Sequence, residues 1–60
     1  MNKYEVYLKG GKVVIVEAPD VFTDDKFIIF CSYFDEETEI MGTIIARFVI
    51  QNICGYVKTS

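Results

Sequence analysis

The sequence predicts one all-β domain, a small five-stranded antiparallel barrel or bent sheet, and three observations point there. The first is the kind of apolar residue used. Eight Ile and seven Val stand against one Leu and two Ala, with four Thr and nine aromatics beside them. β-Branched and aromatic side chains lose rotamer freedom in a helix and pack well on a pleated surface. The second is period-two alternation at the N-terminus: Tyr4, Val6 and Leu8 on one side, Lys3, Glu5, Tyr7 and Lys9 on the other. The third is punctuation: Gly10-Gly11, Pro19 and Gln51-Asn52 divide the chain into strand-length pieces.

Taken in order, residues 2–9 read as a half-buried strand, and Gly10-Gly11 as a tight two-residue turn that needs positive φ. Residues 12–18 return. Such a loop sets Leu8 opposite Val13 and Val6 opposite Ile15. Paired residues share a face, so Tyr4, Val6, Leu8, Val13 and Ile15 are expected in the core. Glu5, Tyr7, Val14 and Val16 are then expected outside. Pro19 cannot donate to a ladder and ends the second strand. Residues 20–26 read as an acidic loop whose Val21 and Phe22 fold back under the sheet. Residues 27–34 form a dense apolar strand, followed by an acidic turn at 35–39. Residues 40–50 make a long strand bent at Gly42, and residues 54–58 a short closing strand.

Residues 35–55 admit a second reading. Asp35 suits a helix N-cap, Glu36, Glu37 and Glu39 a first turn, and Gly55 a stop, giving a three-stranded sheet plus one C-terminal helix. Against it, Ile40, Ile44, Ile45, Val49 and Ile50 are β-branched and Gly42 lies inside. A helix would also set Gln51 and Asn52 on its apolar side. Strand is the preferred expectation. The succession of long hairpin, strand, hairpin, brief turn at 51–53 and short last strand resembles the layout of SH3-like and Sm-like small barrels. No motif of those families is present.

Length raises the question of what staples the fold. Sixty residues allow one domain, and a chain this short buries only about 60% of the surface its unfolded form exposes. Small folds add disulfides, a metal or a partner. Two cysteines, Cys31 and Cys54, both set among apolar neighbours, read as buried reduced thiols rather than a secreted disulfide framework. With no histidine and two cysteines far apart there is no zinc pattern. A partner is left. The chain is 52% apolar, slightly above the globular norm of about 45–50%, and so short a chain has little interior in which to hide that much side chain. Residues 1–5 lack the apolar core of a signal peptide, and the longest uncharged apolar run, residues 40–46, is far below the roughly 20 residues of a membrane span. A soluble cytoplasmic protein with no membrane partner is expected.

The inventory argues against catalysis. Without histidine the commonest general base is missing, and neither a Ser–His nor a Cys–His pair can form. Gly10-Gly11 lacks the Lys-Ser/Thr of a phosphate-binding loop. The carboxylates cluster in loops rather than in a cleft that shifts a pKa. No cofactor is expected. Residues 20–39 hold seven acids and one lysine, a local charge of −6. Such turns keep apolar strands soluble and protect edges. They lack the ligand spacing of a calcium loop, and an acidic surface that meets a basic partner is a further option. Nucleic-acid binding is disfavoured by a net charge of −3 and a pI near 4.6. The aromatics Tyr4, Tyr7, Phe27, Phe30, Tyr33 and Phe34 read as core packing before they read as a stacking platform.

The feature with functional content is a sheet apolar on both sides. Tyr7, Val14 and Val16 form a cluster behind the first hairpin. Met41, Ile45 and Val49, flanked by Thr43 and Arg47, form another behind the fourth strand. A closed barrel has one interior, so the second set needs cover from another chain or from the loop around Phe22. The expected interface is Tyr7, Val14, Val16, Ile45, Arg47 and Val49. The expected function is non-enzymatic binding of another protein, as a small homo-oligomeric inhibitor or modulator of the bacterial or phage type. The alternatives are an oligomer that binds a nucleotide or other small ligand, and a single-stranded nucleic-acid binder.

Overall fold

The first hairpin decides which side chains lie inside. In the computed structural model, which describes residues 1–60, Asn2–Leu8 forms β1 and Val13–Ala18 forms β2. Tyr7 lies opposite Val13, Val6 opposite Val14 and Tyr4 opposite Val16. That is one residue away from the register of a two-residue loop. The Leu8 N–H donates to the Lys12 carbonyl (2.8 Å) and the Gly11 N–H to the Leu8 carbonyl (3.3 Å). The loop is therefore Lys9-Gly10-Gly11, with φ of 94° at Gly10 and 89° at Gly11, a region that a Cβ makes costly. A slip of one residue moves every side chain of a strand to the other face. Val16 and Ala18 are accordingly buried, while Val13 and Ile15 are exposed, the reverse of the expectation for Val13, Ile15 and Val16. Glu17 supplies the physical reason. It shares a strand face with Val13 and Ile15, and the two-residue loop would aim its carboxylate at the core, at heavy desolvation cost. In the observed register Glu17 lies opposite Lys3, 3.8 Å from its ammonium, at the surface.

Pro19 does not lead into a loop. Asp20–Thr23 is a strand, β3, paired antiparallel with β4, Phe27–Cys31. Pro19 interrupts the ladder and lets the chain leave one sheet for the next. The segment expected as a loop over 20–26 shrinks to its last residues. There the Asp24 carboxylate accepts the N–H groups of Lys26 and Phe27, each at 2.8 Å, a local turn of the kind Asp favours.

Beyond β4 the chain runs out and back as one kinked ribbon. Phe34–Asp35 (β5) pairs with Ile40–Met41 (β6) around a turn over 36–39, and Ile44–Val49 (β7) returns along β4. The kink lies between Ser32-Tyr33 and Gly42-Thr43. The Gly42 N–H donates to the Tyr33 carbonyl and the Ser32 N–H to the Thr43 carbonyl, both at 2.9 Å. A Cβ on Gly42 would stand 2.1 Å from Ser32 Oγ and 2.7 Å from the Tyr33 ring, so this close approach requires glycine. Ile50–Asn52 is a single 3-10 turn, and Ile53–Lys58 (β8) closes onto β1. The helical alternative over 35–55 does not form.

The architecture is all-β, and the ladders define three antiparallel sheets ordered β2-β1-β8, β3-β4-β7 and β5-β6. No helix is long and apolar enough to cross a membrane. The two larger sheets meet over Tyr4, Val6, Val16, Ala18, Ile28, Phe30 and Ile53. Phe30 is at the centre, its ring 5.0 Å from that of Tyr4 and 6.0 Å from those of Phe48 and Tyr56. Tilted and edge-on contacts at such spacings are favourable for aromatic pairs.

Candidate interaction surface

The core takes only nine of the 60 residues, and eleven large hydrophobics stay exposed. Those on the outer side of β2-β1-β8 fall into rows set by register: Ile15, Glu5 and Val57 across one, Val13, Tyr7 and Gly55 across the next. Ile15, Val13 and Val57 are each about half exposed (54%, 49% and 51%). Glu5 stands among them, and the Tyr7 hydroxyl donates to its carboxylate at 2.5 Å. That hydrogen bond, with the carboxylate's charge, raises the Tyr7 phenol above its ordinary pKa. Tyr7 thus lies on the outer face where it was expected. Val14 and Val16, expected beside it, do not: Val16 is in the core and Val14 packs against it. Val13, Ile15 and Val57 take their place, and the clue that would have found the first two is the shared parity of Glu17.

The outer side of β3-β4-β7 is differently made. Ile45, Arg47 and Val49 are all exposed there, and the Arg47 guanidinium lies 5.0 Å from the centre of the Phe27 ring. Toward β3 the cover is internal. Phe34 stacks on Phe22 with ring centres 4.3 Å apart, and the Asp20 carboxylate accepts the Phe34 N–H (3.1 Å) and the Val21 N–H (2.8 Å). The β5–β6 arm is thereby tied to β3, and Ile29 and Cys31 between them are buried. Toward β7 no such arm reaches, and Ile44, Ile45 and Val49 face solvent at 50%, 45% and 40% exposure.

Chemistry at other points is sparse. Both cysteines are free. Cys31 is buried, and desolvation, followed by the nearby Asp20 charge, pushes its thiol up in pKa. Cys54, expected in the interior, is exposed because β8 carries a bulge there: Ile53 pairs with Leu8 and Gly55 with Tyr7, so Cys54 has no partner. No group of three His, Cys, Asp or Glu side chains lies close enough to hold a metal ion. The acids of residues 20–39 stay at turns, apart from Asp20 in β3 and Asp35 in β5. Asp24 is held below the ordinary aspartate range by the N–H groups of Lys26 and Phe27. The sheet β2-β1-β8 carries Lys3, Lys12 and Lys58 on or beside its strands together with Glu5 and Glu17, whereas residues 20–39 carry a net charge of −6. No family model, curated protein or solved structure matches this chain.

Proposed function

We propose that this chain is a small SH3-like β-domain that acts without catalysis. In this reading it is a cytoplasmic protein-binding module that associates with itself and occupies the surface of another protein, as an inhibitor or modulator. Strand order supports the architecture. A kinked β2–β3 shared between two sheets, a returning pair β4 and β7, a single 3-10 turn, and a last strand beside the first follow the SH3-like arrangement, with β5–β6 as an extension of the hairpin. The observation that carries the function is the cluster of exposed apolar side chains, Tyr7, Val13, Ile15 and Val57, gathered around Glu5 on the outside of β2-β1-β8. Solvated sheet faces favour polar residues at alternate positions; a sustained apolar one marks an interaction site.

The test is in-cell crosslinking. A photoreactive residue at Ile15 or Val57 is expected to trap one discrete protein adduct, and the same residue at Thr23 or Glu37 none. Ile15→Asp should abolish the adduct at position 57 while leaving the fold intact by circular dichroism. Adducts equally abundant at all four positions would overturn the reading.

A further inference from the structure

We infer that the hollow between β3 and the β5–β6 arm is a receptor for a guanidinium group, presented as an arginine side chain of another protein. The site lies outside the β2-β1-β8 face and does not depend on it. Val21, Phe22 and Thr23 of β3 form one wall, and Phe34, Glu36 and Glu39 of the arm form the other, around about 340 Å³. That is the lower end of the roughly 300–1,000 Å³ of ligand sites, room for the head of one side chain. The walls are fixed before any ligand arrives. The Asp20 carboxylate accepts the N–H groups of Val21 (2.8 Å) and Phe34 (3.1 Å), one from each wall. The rings of Phe22 and Phe34 stack with centres 4.3 Å apart and planes 29° from parallel.

The turn after β5 selects which acids line the hollow. The Asp35 carboxylate accepts the Glu37 N–H (3.0 Å), and Glu39 takes a φ of 56°, alone among residues other than glycine in having a positive value. Glu36 and Glu39 come to line the hollow, while Glu37 and Thr38 between them do not. No lysine or arginine lines it, and the chain's one salt bridge is elsewhere, between Lys3 and Glu17. Two carboxylates thus stand beside two half-buried aromatic rings without a cation. Around them residues 20–39 carry a net charge of −6, a field that draws cations in.

Guanidinium is the cation that this combination suits. An aromatic face attracts a cation through its quadrupole. A flat guanidinium lies against a ring while its N–H donors reach carboxylates at the edge. An ammonium is compact and strongly hydrated and gains less from the rings. A quaternary ammonium has no N–H to offer Glu36 and Glu39, and it is held by cages of rings rather than by two rings stacked on each other. Free arginine would bring its α-carboxylate into the acidic turn, so a residue within a chain is the better occupant. The same kind of contact occurs once inside the molecule. Arg47, the only arginine, sets its guanidinium 5.0 Å from the centre of the Phe27 ring.

Titration with the blocked peptide acetyl-Gly-Arg-Gly-amide, followed by amide NMR shifts, tests this. Millimolar binding is expected for a single side chain, with shifts confined to residues 20–23 and 34–39. The citrulline peptide, a neutral isostere, should bind about tenfold more weakly, and the lysine peptide and free arginine about threefold more weakly. Glu36→Gln and Glu39→Gln should each weaken the arginine peptide about threefold or more. Glu37→Gln removes the same charge from the same turn and should weaken it by less than about 1.5-fold. Phe22→Leu keeps every charge and should weaken it as much as Glu36→Gln; the exposed Glu variants carry the test if that change unfolds the chain. Ile15→Asp, which blocks the face proposed for protein binding, should leave the titration unchanged, so either reading can fail alone. No shift at tens of millimolar peptide would overturn the site. So would shifts of equal size around Asp24 and Asp25, or equal effects of Glu37→Gln and Glu36→Gln, since both would mean unspecific charge. Lysine peptide or free arginine binding as tightly as the arginine peptide would overturn the occupant.

Discussion

Threonine substituted at two adjacent positions of β2 tests the hairpin register, and with it the identity of the outer face. Threonine keeps a β-branched shape, so strand propensity changes little, and the comparison isolates burial. Val16 is 5% exposed and Ile15 54%. Val16→Thr loses a buried methyl, about 0.8 kcal/mol, and buries a hydroxyl for about 1–3 kcal/mol in proteins, giving roughly 2–4 kcal/mol in all. A chain of this length has about 3–9 kcal/mol of total stability, at roughly 0.05–0.15 kcal/mol per residue. The variant should therefore melt about 8–30 °C lower, taking about 4–8 °C per kcal/mol for a domain this small. Ile15→Thr should cost under about 1 kcal/mol, in keeping with a surface change. Urea denaturation followed by circular dichroism reads both, with m unchanged if the denatured state is unaffected. Dilution series keep loss of association from passing as loss of folding. If Ile15→Thr proves the more damaging of the two, the three-residue loop is wrong, Ile15 belongs to the core, and the interaction face drawn on it disappears.

Other consequences are equally direct. Gly42→Ala should cost about 1–3 kcal/mol as an overpacking change and should speed hydrogen exchange between residues 32 and 43 more than in β1, because the new Cβ meets Ser32 and the Tyr33 ring. In the native protein a thiol reagent should titrate Cys54 quickly and Cys31 only on unfolding, one equivalent fast and one slow. Asp24 is lowered in the folded state, so its stabilising share is complete above the ordinary aspartate pKa of about 3.9 and is lost as pH falls through the folded value. Asp24→Ala should flatten acid denaturation in that range and leave the neutral-to-alkaline limb unchanged.

Strand content was legible because it rests on residue type: fifteen Ile and Val with nine aromatics in 60 residues leave few helix formers. The bend at Gly42, the acidic turn, the break near Gln51 and the closing strand were legible for the same kind of reason, since each is marked by residues with restricted backbone or paired charge. Two elements were not. Asp20–Thr23 was read as a loop because Pro19 and three acids are turn signals, yet Val21 and Phe22 alternate into and out of a sheet once Phe30 and Ile29 lie opposite them. Proline acted as a hinge between sheets rather than as a terminator. Register was the second. Two glycines support either loop length, and Val13-Val14-Ile15-Val16 is apolar at every position, so hydrophobic alternation cannot choose. Only Glu17, one step beyond the run, separates the faces.

That same run makes the exposed apolar face a property of the chain rather than of one register. Consecutive strand residues point to opposite sides, so a sheet with one buried face can take two of Val13, Val14, Ile15 and Val16 and must present the other two outward. The two-residue loop would expose Val14 and Val16; the observed loop exposes Val13 and Ile15. Either way the outer surface beside Tyr7 is aliphatic. A fold that needed only a core from this hairpin would be served as well by Thr or Lys at the outward positions, as it is at Lys3, and it would gain solubility. An aliphatic pair held outside in β2, matched by Val57 across the sheet and by Ile45 and Val49 on β7, adds nothing to the interior of an isolated molecule. Covered by another polypeptide, as proposed above, it would contribute stabilisation that the isolated molecule cannot draw from it.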